Sequence, residues 1–201
     1  MAATCVAVRT RDDVSIMDDD AARWNARYDG REAGEPTRPI GLDALTVPAG
    51  GLCLDVACGL GAQSVWAALN GFEVIALDVS PVAVGATKRF ARLHEIDHLV
   101  DARVHDLGGG LPHDLLGECA LVICQKFRDP KLYPELVTAL TDDGVLVVTV
   151  LSEVGLVGEA GSFHARPGDL VATFRDLDID IVSHSEANGL ATIVARRRSS
   201  L

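Results

Sequence analysis

The sequence predicts a single α/β domain built on a parallel sheet. Five apolar strand patterns alternate with helical patterns, as in a sheet whose strands are joined by crossover helices. A glycine-rich break follows the first strand. Two alternating segments near the end of the chain surround Asn188-Gly189, which favours an antiparallel hairpin. The length of 201 residues fits one domain.

The central motif runs from Leu52 to Ala62 and reads LCLDVACGLGA. A buried strand that carries one acid, Asp55, is followed by Gly59-Leu60-Gly61 and then by an apolar helical pattern. The glycines let the backbone turn sharply and approach a ligand that a Cβ would obstruct. The start of the helix leaves N–H groups free. The motif therefore predicts a small-molecule site at the carboxyl edge of the sheet.

The details of the motif favour an amine-bearing ligand over a dinucleotide. The dinucleotide fingerprint has a third glycine where this chain has Ser64. Asp55 places a carboxylate at the end of the first strand, which suits a cationic ligand and repels a pyrophosphate. The second strand ends in another acid, Asp78, before a helix that Ser80-Pro81 opens. An acid at that position commonly binds a ribose diol.

The strands are predicted from buried apolar runs and from the turn signals between them. The predicted strands are Leu52–Ala57, Glu73–Asp78, Val100–His105, Cys119–Gln125, Val145–Leu151, Ile179–Ser185 and Leu190–Arg196. Asp142-Asp143-Gly144 predicts a turn before the fifth strand.

Helices are predicted between the strands and at the start of the chain. The predicted helices after the first strand are Ala62–Asn70, Pro81–His94, Lys131–Leu140 and Pro167–Arg175. Residues 1–17 are expected to be irregular and loose, and a helix is predicted to begin at Asp18. Glycine and proline breaks make Arg31–Pro39 a predicted loop, and Leu42–Val47 is a predicted short helix or turn.

At these motifs the sequence resembles the class I S-adenosylmethionine (SAM) dependent methyltransferases. LDVACGLGA and VIALDVSP are similar to motifs I and II of that family, and VHDL (Val104–Leu107) is similar to its adenine-side acid motif. WNARY (Trp24–Tyr28) and FHARPGDL (Phe163–Leu170) resemble segments of a small-molecule branch, the tellurite-resistance and thiopurine methyltransferases. The resemblance covers nearly the whole chain from Trp24 onward.

The resemblance implies a Rossmann-like, doubly wound sheet of seven strands. The implied strand order is 3-2-1-4-5-7-6, with the last strand antiparallel and helices on both faces. One methyltransferase domain would cover residues 1–201, and residues 18–40 would form a helix and loop that cap the cofactor site.

The resemblance also implies SAM as the cofactor, with S-adenosylhomocysteine as its product. The implied binding residues are Asp55, Ala57, Gly59 and Gly61 at the methionine end, Asp78 and Val79 at the ribose, Asp106 and Leu107 at the adenine, Cys124 at the methyl-transfer zone, and Trp24, Arg27 and Tyr28 as a cover. The three acids could instead cap helices or turns at strand ends. Trp24 and Tyr28 could instead be the buried face of their helix.

Methyl transfer from a sulfonium is an in-line displacement, so the protein mainly positions the two reactants and excludes water. A fixed catalytic triad is therefore not expected. Lys126 and Arg128, after the fourth strand, could orient an anionic acceptor. His164 could be a general base. Alternatively, Arg128 forms a surface salt bridge and His164 is incidental.

The composition limits the partners. A formal net charge of −11 argues against nucleic-acid binding, and Arg196-Arg197-Arg198 is expected to be a solvated strand end. None of the five cysteines has the spacing of a metal site, so structural thiols and no metal are expected. Reduced thiols, the lack of an apolar leader in Met1–Thr10 and the lack of an apolar run of membrane length predict a cytoplasmic protein without membrane binding.

The sequence thus predicts a SAM-dependent methyltransferase that acts on an O, N, S or chalcogen atom of a small molecule. Two alternatives stay open. One is a non-catalytic SAM-binding module, since binding and catalytic residues largely coincide in this fold. The other is a nicotinamide-dependent oxidoreductase, which Ser64, Asp55 and the terminal hairpin disfavour. The sequence identifies neither the acceptor nor the oligomeric state.

Overall fold

The computed structural model describes residues 11–44 and 46–199, which form one seven-stranded sheet with flanking helices. The strands are β1 (Gly51–Val56), β2 (Phe72–Asp78), β3 (Val100–Val104), β4 (Cys119–Gln125), β5 (Leu140–Leu151), β6 (Ile179–Ala187) and β7 (Leu190–Arg197). They lie in the order β3-β2-β1-β4-β5-β7-β6, which confirms the predicted order.

Strands β1 to β5 pair in parallel, and β7 runs antiparallel to both β5 and β6. The turn between β6 and β7 consists of Asn188 and Gly189, with φ angles of 53° and 76°. Positive φ at both residues is what a tight two-residue hairpin turn requires, and asparagine and glycine tolerate it best. The predicted hairpin is therefore confirmed.

In the described ranges five α-helices accompany the sheet: α1 (Arg11–Tyr28), α2 (Ala62–Leu69), α3 (Pro81–Leu93), α4 (Tyr133–Thr138) and α5 (Asp169–Phe174). α2 and α3 cover one face of the sheet, and α4 and α5 cover the other. α1 packs on α3. Among the described helices, none combines the length and apolar character needed to cross a membrane.

Successive side chains of β1 point to opposite faces of the sheet and belong to two different hydrophobic clusters. Leu54 and Val56 belong to the cluster beneath α4 and α5, whereas Cys53 belongs to the cluster beneath α2 and α3. All three side chains are fully buried. A strand that is covered on both faces reads as a continuous apolar run, which is why the sequence predicted this strand correctly.

β5 begins earlier than predicted. Its first residue is Leu140, so the predicted turn at Asp142-Asp143-Gly144 lies inside the strand. Cys119 of β4 pairs with Leu140, but the next pairing on β5 is at Val145, so the ladder is irregular between them. Asp143 has a φ of 60°. The turn-forming residues make a bulge instead of a turn, and the prediction was wrong because β4 supplies partners on both sides of the break.

α1 also begins earlier, at Arg11 instead of the predicted Asp18. The remainder of the predicted loose segment, residues 1–10, lies outside the described residues, as does Cys5.

α4 is shorter than the predicted Lys131–Leu140. Pro134 lies in its first turn, where the missing N–H of proline has no intrahelical partner to lose. Leu140 already belongs to β5. The other strands and helices after β1 end within two residues of the predicted bounds.

The segment after β5 is held at its base by four backbone hydrogen bonds. Ala165 N donates to Leu151 O at 2.8 Å, and Glu153 N donates to Ala165 O at 3.0 Å. On the other side, Ser152 N donates to Gly189 O and Gly189 N donates to Val154 O, both at 2.8 Å. The segment is thus attached both to the end of β5 and to the β6–β7 turn.

Candidate cofactor site

The loop between β1 and α2 needs glycine at two positions. Gly59 has a φ of 56° and Gly61 a φ of 84°, a region that other residues rarely adopt. A Cβ on Gly61 would lie 2.7 Å from Thr87 Cγ2 of α3, which is too close for any side chain. The predicted glycine loop is therefore present and lies directly against α3.

Asp78 fastens this loop to the end of β2. Its Oδ2 accepts a hydrogen bond from Gly59 N at 2.9 Å, and its Oδ1 accepts one from Ser80 N, also at 2.9 Å. The side chain is only 5% exposed. Burial raises the pKa of Asp78, although the two N–H donors favour its charged form. Each oxygen has a second lone pair, so the carboxylate can still accept bonds from a ligand hydroxyl.

Thr87 holds the other side of the loop, and sequence reasoning missed it. Its hydroxyl is fully buried and donates to Gly59 O at 3.1 Å. The signal was a hydroxyl on the otherwise apolar face of α3, between Val84 and Ala91. The loop is thus held through both the N–H and the C=O of Gly59.

Asp55 lies beneath α2 and is bound within the protein. The Ser64 hydroxyl donates to Asp55 Oδ2 at 2.5 Å, and Asp55 is 2% exposed. Burial raises the pKa of Asp55 to about 7, despite the Ser64 hydrogen bond, and the nearby Asp78 charge adds to the shift. The adjoining Ala57 has a φ of 56°, a strained value for a residue with a Cβ.

Asp106 and Leu107 follow β3 at the same edge of the sheet. His105 N donates to Asp78 O at 2.9 Å, which brings the two strand ends together. The Asp106 side chain caps a short 3-10 turn and accepts from Gly108 N at 3.0 Å. The capping alternative for Asp106 is therefore observed. Leu107 is buried in the core, and Val79 is half-buried.

The carboxyl-terminal part of α1 covers the glycine loop. Asn25 Oδ1 accepts a hydrogen bond from the Ser80 hydroxyl at 2.6 Å, which docks α1 on the start of α3. The Tyr28 hydroxyl lies 3.0 Å from the position of a Cβ on Gly59. Burial, helped by the negative charge of Asp78, raises the pKa of Tyr28 to about 12. Tyr28, Gly59 and Asp78 therefore form one cluster.

Trp24 and Arg27 extend this cover outward. The Trp24 ring stacks on Tyr28 with 5.7 Å between centroids, and the Arg27 guanidinium lies 5.7 Å from the Trp24 ring. Arg23 lies between Trp24 and Phe163 at 5.6 and 5.4 Å from the two rings. The stack therefore links α1 to the segment after β5.

The contacts of the three candidate catalytic residues are with groups other than Tyr28, Gly59 and Asp78. Lys126 is exposed and has a φ of 62°. Arg128 forms an ion pair with Asp169 at 3.5 Å, which is the alternative that the sequence left open. His164 Nδ1 is hydrogen-bonded to Gly161 of its own loop, with the Gly161 N–H at 2.9 Å. The structure therefore does not bring these residues together as one catalytic group.

The thiols in the described part of the chain are free and buried. They belong to Cys53, Cys58, Cys119 and Cys124. Burial raises the pKa of each, so all four stay protonated at neutral pH. Cys124 Sγ lies 3.6 Å from Phe127 O, inside the core. Within the described ranges, His, Cys, Asp and Glu form no group of three or more that could hold a metal.

Two curated proteins from bacteria are similar in sequence to this chain, whereas no family model matches it. The ribosomal protein L11 methyltransferase of Heliobacterium modesticaldum is 30% identical over 150 residues, which is 72% of this chain and 42% of that protein. The one from Herpetosiphon aurantiacus is 31% identical, over 71% of this chain and 44% of that protein. The chain thus spans less than half the length of the curated relatives it matches.

Solved structures match the chain over nearly its whole length. The geranyl diphosphate C-methyltransferase of Streptomyces coelicolor, solved with S-adenosylhomocysteine, has a TM-score of 0.69 at 14% identity and covers 90% of this chain and 98% of its own. The cyclase SpnF has the same TM-score at 16% identity, over 96% and 98% of the two chains. At such identities the likeness establishes the fold alone.

The chain therefore has the class I SAM-dependent methyltransferase fold. The strand order, the antiparallel β7 and the helices on both faces all agree with that fold. The two named relatives are not tellurite-resistance or thiopurine methyltransferases, so that branch stays a prediction.

Proposed function

We propose that this protein binds SAM at the carboxyl edge of β1 and β2 and transfers its methyl group to an acceptor. The observation that carries the proposal is the link from Gly59 N to Asp78 Oδ2. It places a carboxylate with free lone pairs beside a backbone that no Cβ obstructs. Solved structures of this fold that hold S-adenosylhomocysteine support the same cofactor.

The residues present fit an adenosyl group. Asp78 would bind the ribose hydroxyls with Val79 beside it, and Leu107 would pack against the adenine. Asp106 would bind the adenine amino group through the same carboxylate that accepts a hydrogen bond from Gly108 N. Ala57, Gly59 and Gly61 would line the methionine end. Bound SAM supplies an activated methyl group, so the protein has to hold, orient and dehydrate the reactants.

Asp55 would act through the loop and not by direct contact. Its carboxyl is bound by Ser64 and is 2% exposed, so it stabilises the join between β1 and α2 beneath the glycines. Cys124, at the end of β4, is likewise fully buried and would border the methyl-transfer zone from below.

Residues 18–40 would cap the cofactor. Tyr28 lies over Gly59, and Asn25 holds α1 to the start of α3, so cofactor entry requires that α1 move. The loop after α1 contains Gly30, with a φ of 65°, at which the chain can turn. Trp24 and Arg27 would then cover the bound group from the solvent side.

For the acceptor we infer a small molecule, with a protein side chain as the second candidate. The small-molecule acceptor rests on the resemblance of Trp24–Tyr28 and Phe163–Leu170 to that branch, and on the stack that joins these segments over the site. The protein acceptor rests on the two relatives, which are named for a ribosomal protein. His164 and Lys126 would lie on the acceptor side.

The first test is a calorimetric titration of the protein with S-adenosylhomocysteine and, in parallel, with NADH. We expect micromolar binding of the adenosyl compound and no binding of NADH. Binding of NADH alone would show that the glycine loop holds a dinucleotide. SpnF has this fold and is named as a cyclase, so binding by itself does not establish methyl transfer.

The second test measures turnover. The protein is incubated with methyl-labelled SAM and, separately, with the small-molecule and the protein fractions of a cell extract. Label in the small-molecule fraction supports the small-molecule acceptor, and label in protein supports the second candidate. Cofactor binding without transfer to either fraction would identify a non-catalytic SAM-binding module.

A further inference from the structure

Tyr133, the first residue of α4, carries a buried hydroxyl without a partner. In the described part of the chain it is the one buried side-chain nitrogen or oxygen that lacks a hydrogen bond. The residue is 1% exposed, and its ring stacks on Phe174 with centroids 4.6 Å apart and 21° between the planes. A phenylalanine would make the same stack without burying a polar atom, so the packing does not explain the hydroxyl.

Tyr133 begins α4, eight residues after β4 ends at Gln125, and it packs in the same hydrophobic cluster as Cys124 of that strand. Burial raises the pKa of its hydroxyl; Cys124 and Asp129 raise that pKa further and Arg128 lowers it. Cys124 pairs in register with Val56, the last residue of β1 before the glycine loop. Tyr133 is therefore beside the strand ends where the proposed methyl donor would lie.

Arg128 is the nearby cation, and it is only loosely paired. Its ion pair with Asp169 measures 3.5 Å, and 28% of its side chain is exposed. Lys126, two residues before it, is exposed, and none of the described carboxylates lies within salt-bridge distance of it. Lys126 also has a φ of 62°, a conformation that non-glycine residues adopt mainly at functional sites and turns.

We propose that the Tyr133 hydroxyl and the Arg128 guanidinium form a subsite that binds an oxyanion of the acceptor, such as a carboxylate or a phosphate. Both groups donate hydrogen bonds, and one is buried without a partner. An oxyanion between them would satisfy the Tyr133 hydroxyl and replace the distant Asp169 as the partner of Arg128. Lys126 adds positive charge at the rim. This inference rests on the proposed function, since the oxyanion belongs to the methyl acceptor.

The chain has only two tyrosines, Tyr28 and Tyr133, which gives a direct spectroscopic test. Protein labelled with 3-fluorotyrosine should give two 19F signals, and the Tyr28→Phe variant identifies each. With S-adenosylhomocysteine bound, we titrate benzoate and, separately, inorganic phosphate. The Tyr133 signal should shift saturably with one of them, which also tells a carboxylate site from a phosphate site.

Two variants test the pair of residues. Tyr133→Phe keeps the stack on Phe174, so its thermal stability should equal or exceed that of the wild type, while binding of the active anion weakens about tenfold or more. Arg128→Gln should weaken it at least as much and abolish the Tyr133 shift. Arg198→Gln removes an exposed arginine that is paired with Asp178 and Asp180, and it should change nothing.

The outcomes separate this inference from the proposed function. If S-adenosylhomocysteine binds but neither anion moves the Tyr133 signal, the oxyanion subsite is overturned and the proposed cofactor stands. The same holds if Tyr133→Phe binds the anion as well as the wild type, since the hydroxyl then serves only a buried water. If S-adenosylhomocysteine itself does not bind, the proposed function fails first.

Discussion

The Ser64 hydroxyl lies 2.5 Å from Asp55 Oδ2, in the layer between β1 and α2. Among the described residues, Ser64 is the one whose side chain is hydrogen-bonded to the Asp55 carboxyl. This bond lowers the pKa of Asp55 by less than burial raises it. The glycine loop therefore rests on an acid that is neutral below about pH 7 and charged above it.

The first prediction concerns pH and stability. The pKa of Asp55 is about 7 in the folded protein and 3.8 when unperturbed. Between these values the unfolded chain has lost the proton and the folded chain keeps it, so stability falls as pH rises, by ~1.4 kcal/mol per pH unit from this group. Below 3.8 and above 7 this group adds no slope.

Asp55→Asn removes this titration and keeps an oxygen that can accept from Ser64. We expect urea unfolding to show that the variant gains stability relative to the wild type from about pH 4 to pH 7, with no further gain above. Asp101→Asn, on the exposed side of β3, is the control and should follow the wild type. If the free energies of unfolding of Asp55→Asn and the wild type change in parallel with pH, the pKa of Asp55 is not raised in the folded protein.

The second prediction separates backbone strain from crowding in the glycine loop. Gly61 and Gly71 have similar φ angles, 84° and 90°, but only Gly61 faces Thr87, whereas a Cβ on Gly71 would meet nothing within 4 Å. Gly71→Ala should lose ~1–2 kcal/mol from strain alone. Gly61→Ala should lose clearly more, since Thr87 must move as well. If both variants lose the same free energy of unfolding in chemical denaturation, Thr87 and α3 shift at no cost.

The third prediction tests whether α1 acts as a cover. Asn25→Ala removes the acceptor for the Ser80 hydroxyl, so α1 should open more often. Stopped-flow fluorescence of S-adenosylhomocysteine binding should show association and dissociation both faster, by about fivefold for a bond worth ~1 kcal/mol. Asn70→Ala is the matched control, because the Asn70 side chain donates to Trp66 O of its own helix and does not touch α1. Unchanged rates in Asn25→Ala would argue against the cover.

The fourth prediction ranks the two acids at the adenosine end. Asp78→Ala should weaken S-adenosylhomocysteine binding by about tenfold or more in calorimetry, because a charged hydrogen-bond acceptor is lost. Asp106→Ala should have a smaller effect, since that side chain also caps its own 3-10 turn. A stronger effect at Asp106 would reverse the two roles.

The strands could be predicted because they are apolar runs that end at clear breaks, whereas their order in the sheet was implied by the resemblance to the class I methyltransferases. Asn188-Gly189 fixed the hairpin through local backbone preference. The Asp142–Gly144 segment has the same kind of local preference, yet β4 pairs on both sides of it and keeps it within β5. Local turn chemistry predicts correctly where no neighbouring strand competes with it.

The sequence pattern predicted the local elements of the candidate site but not the contacts between them. Gly59 and Gly61 lie in a loop after β1, and Asp78 lies at the end of β2, as the pattern indicates. The bonds from Thr87 to Gly59 and from Ser80 to Asn25 join residues 28 and 55 positions apart. They depend on how α3 and α1 pack, which no local pattern encodes.

The segment after β5 is held at its base by backbone hydrogen bonds at Leu151, Ala165 and Gly189, and by the Ser152 hydroxyl, which donates to Glu186 Oε1 at 2.7 Å. Gly155 must stay glycine, since it has a φ of 68° and its Cβ would lie 2.7 Å from Asn188 N. Residues 156–160 make none of those bonds. Mutation or grafting can therefore change that stretch while the sheet beneath it keeps its shape.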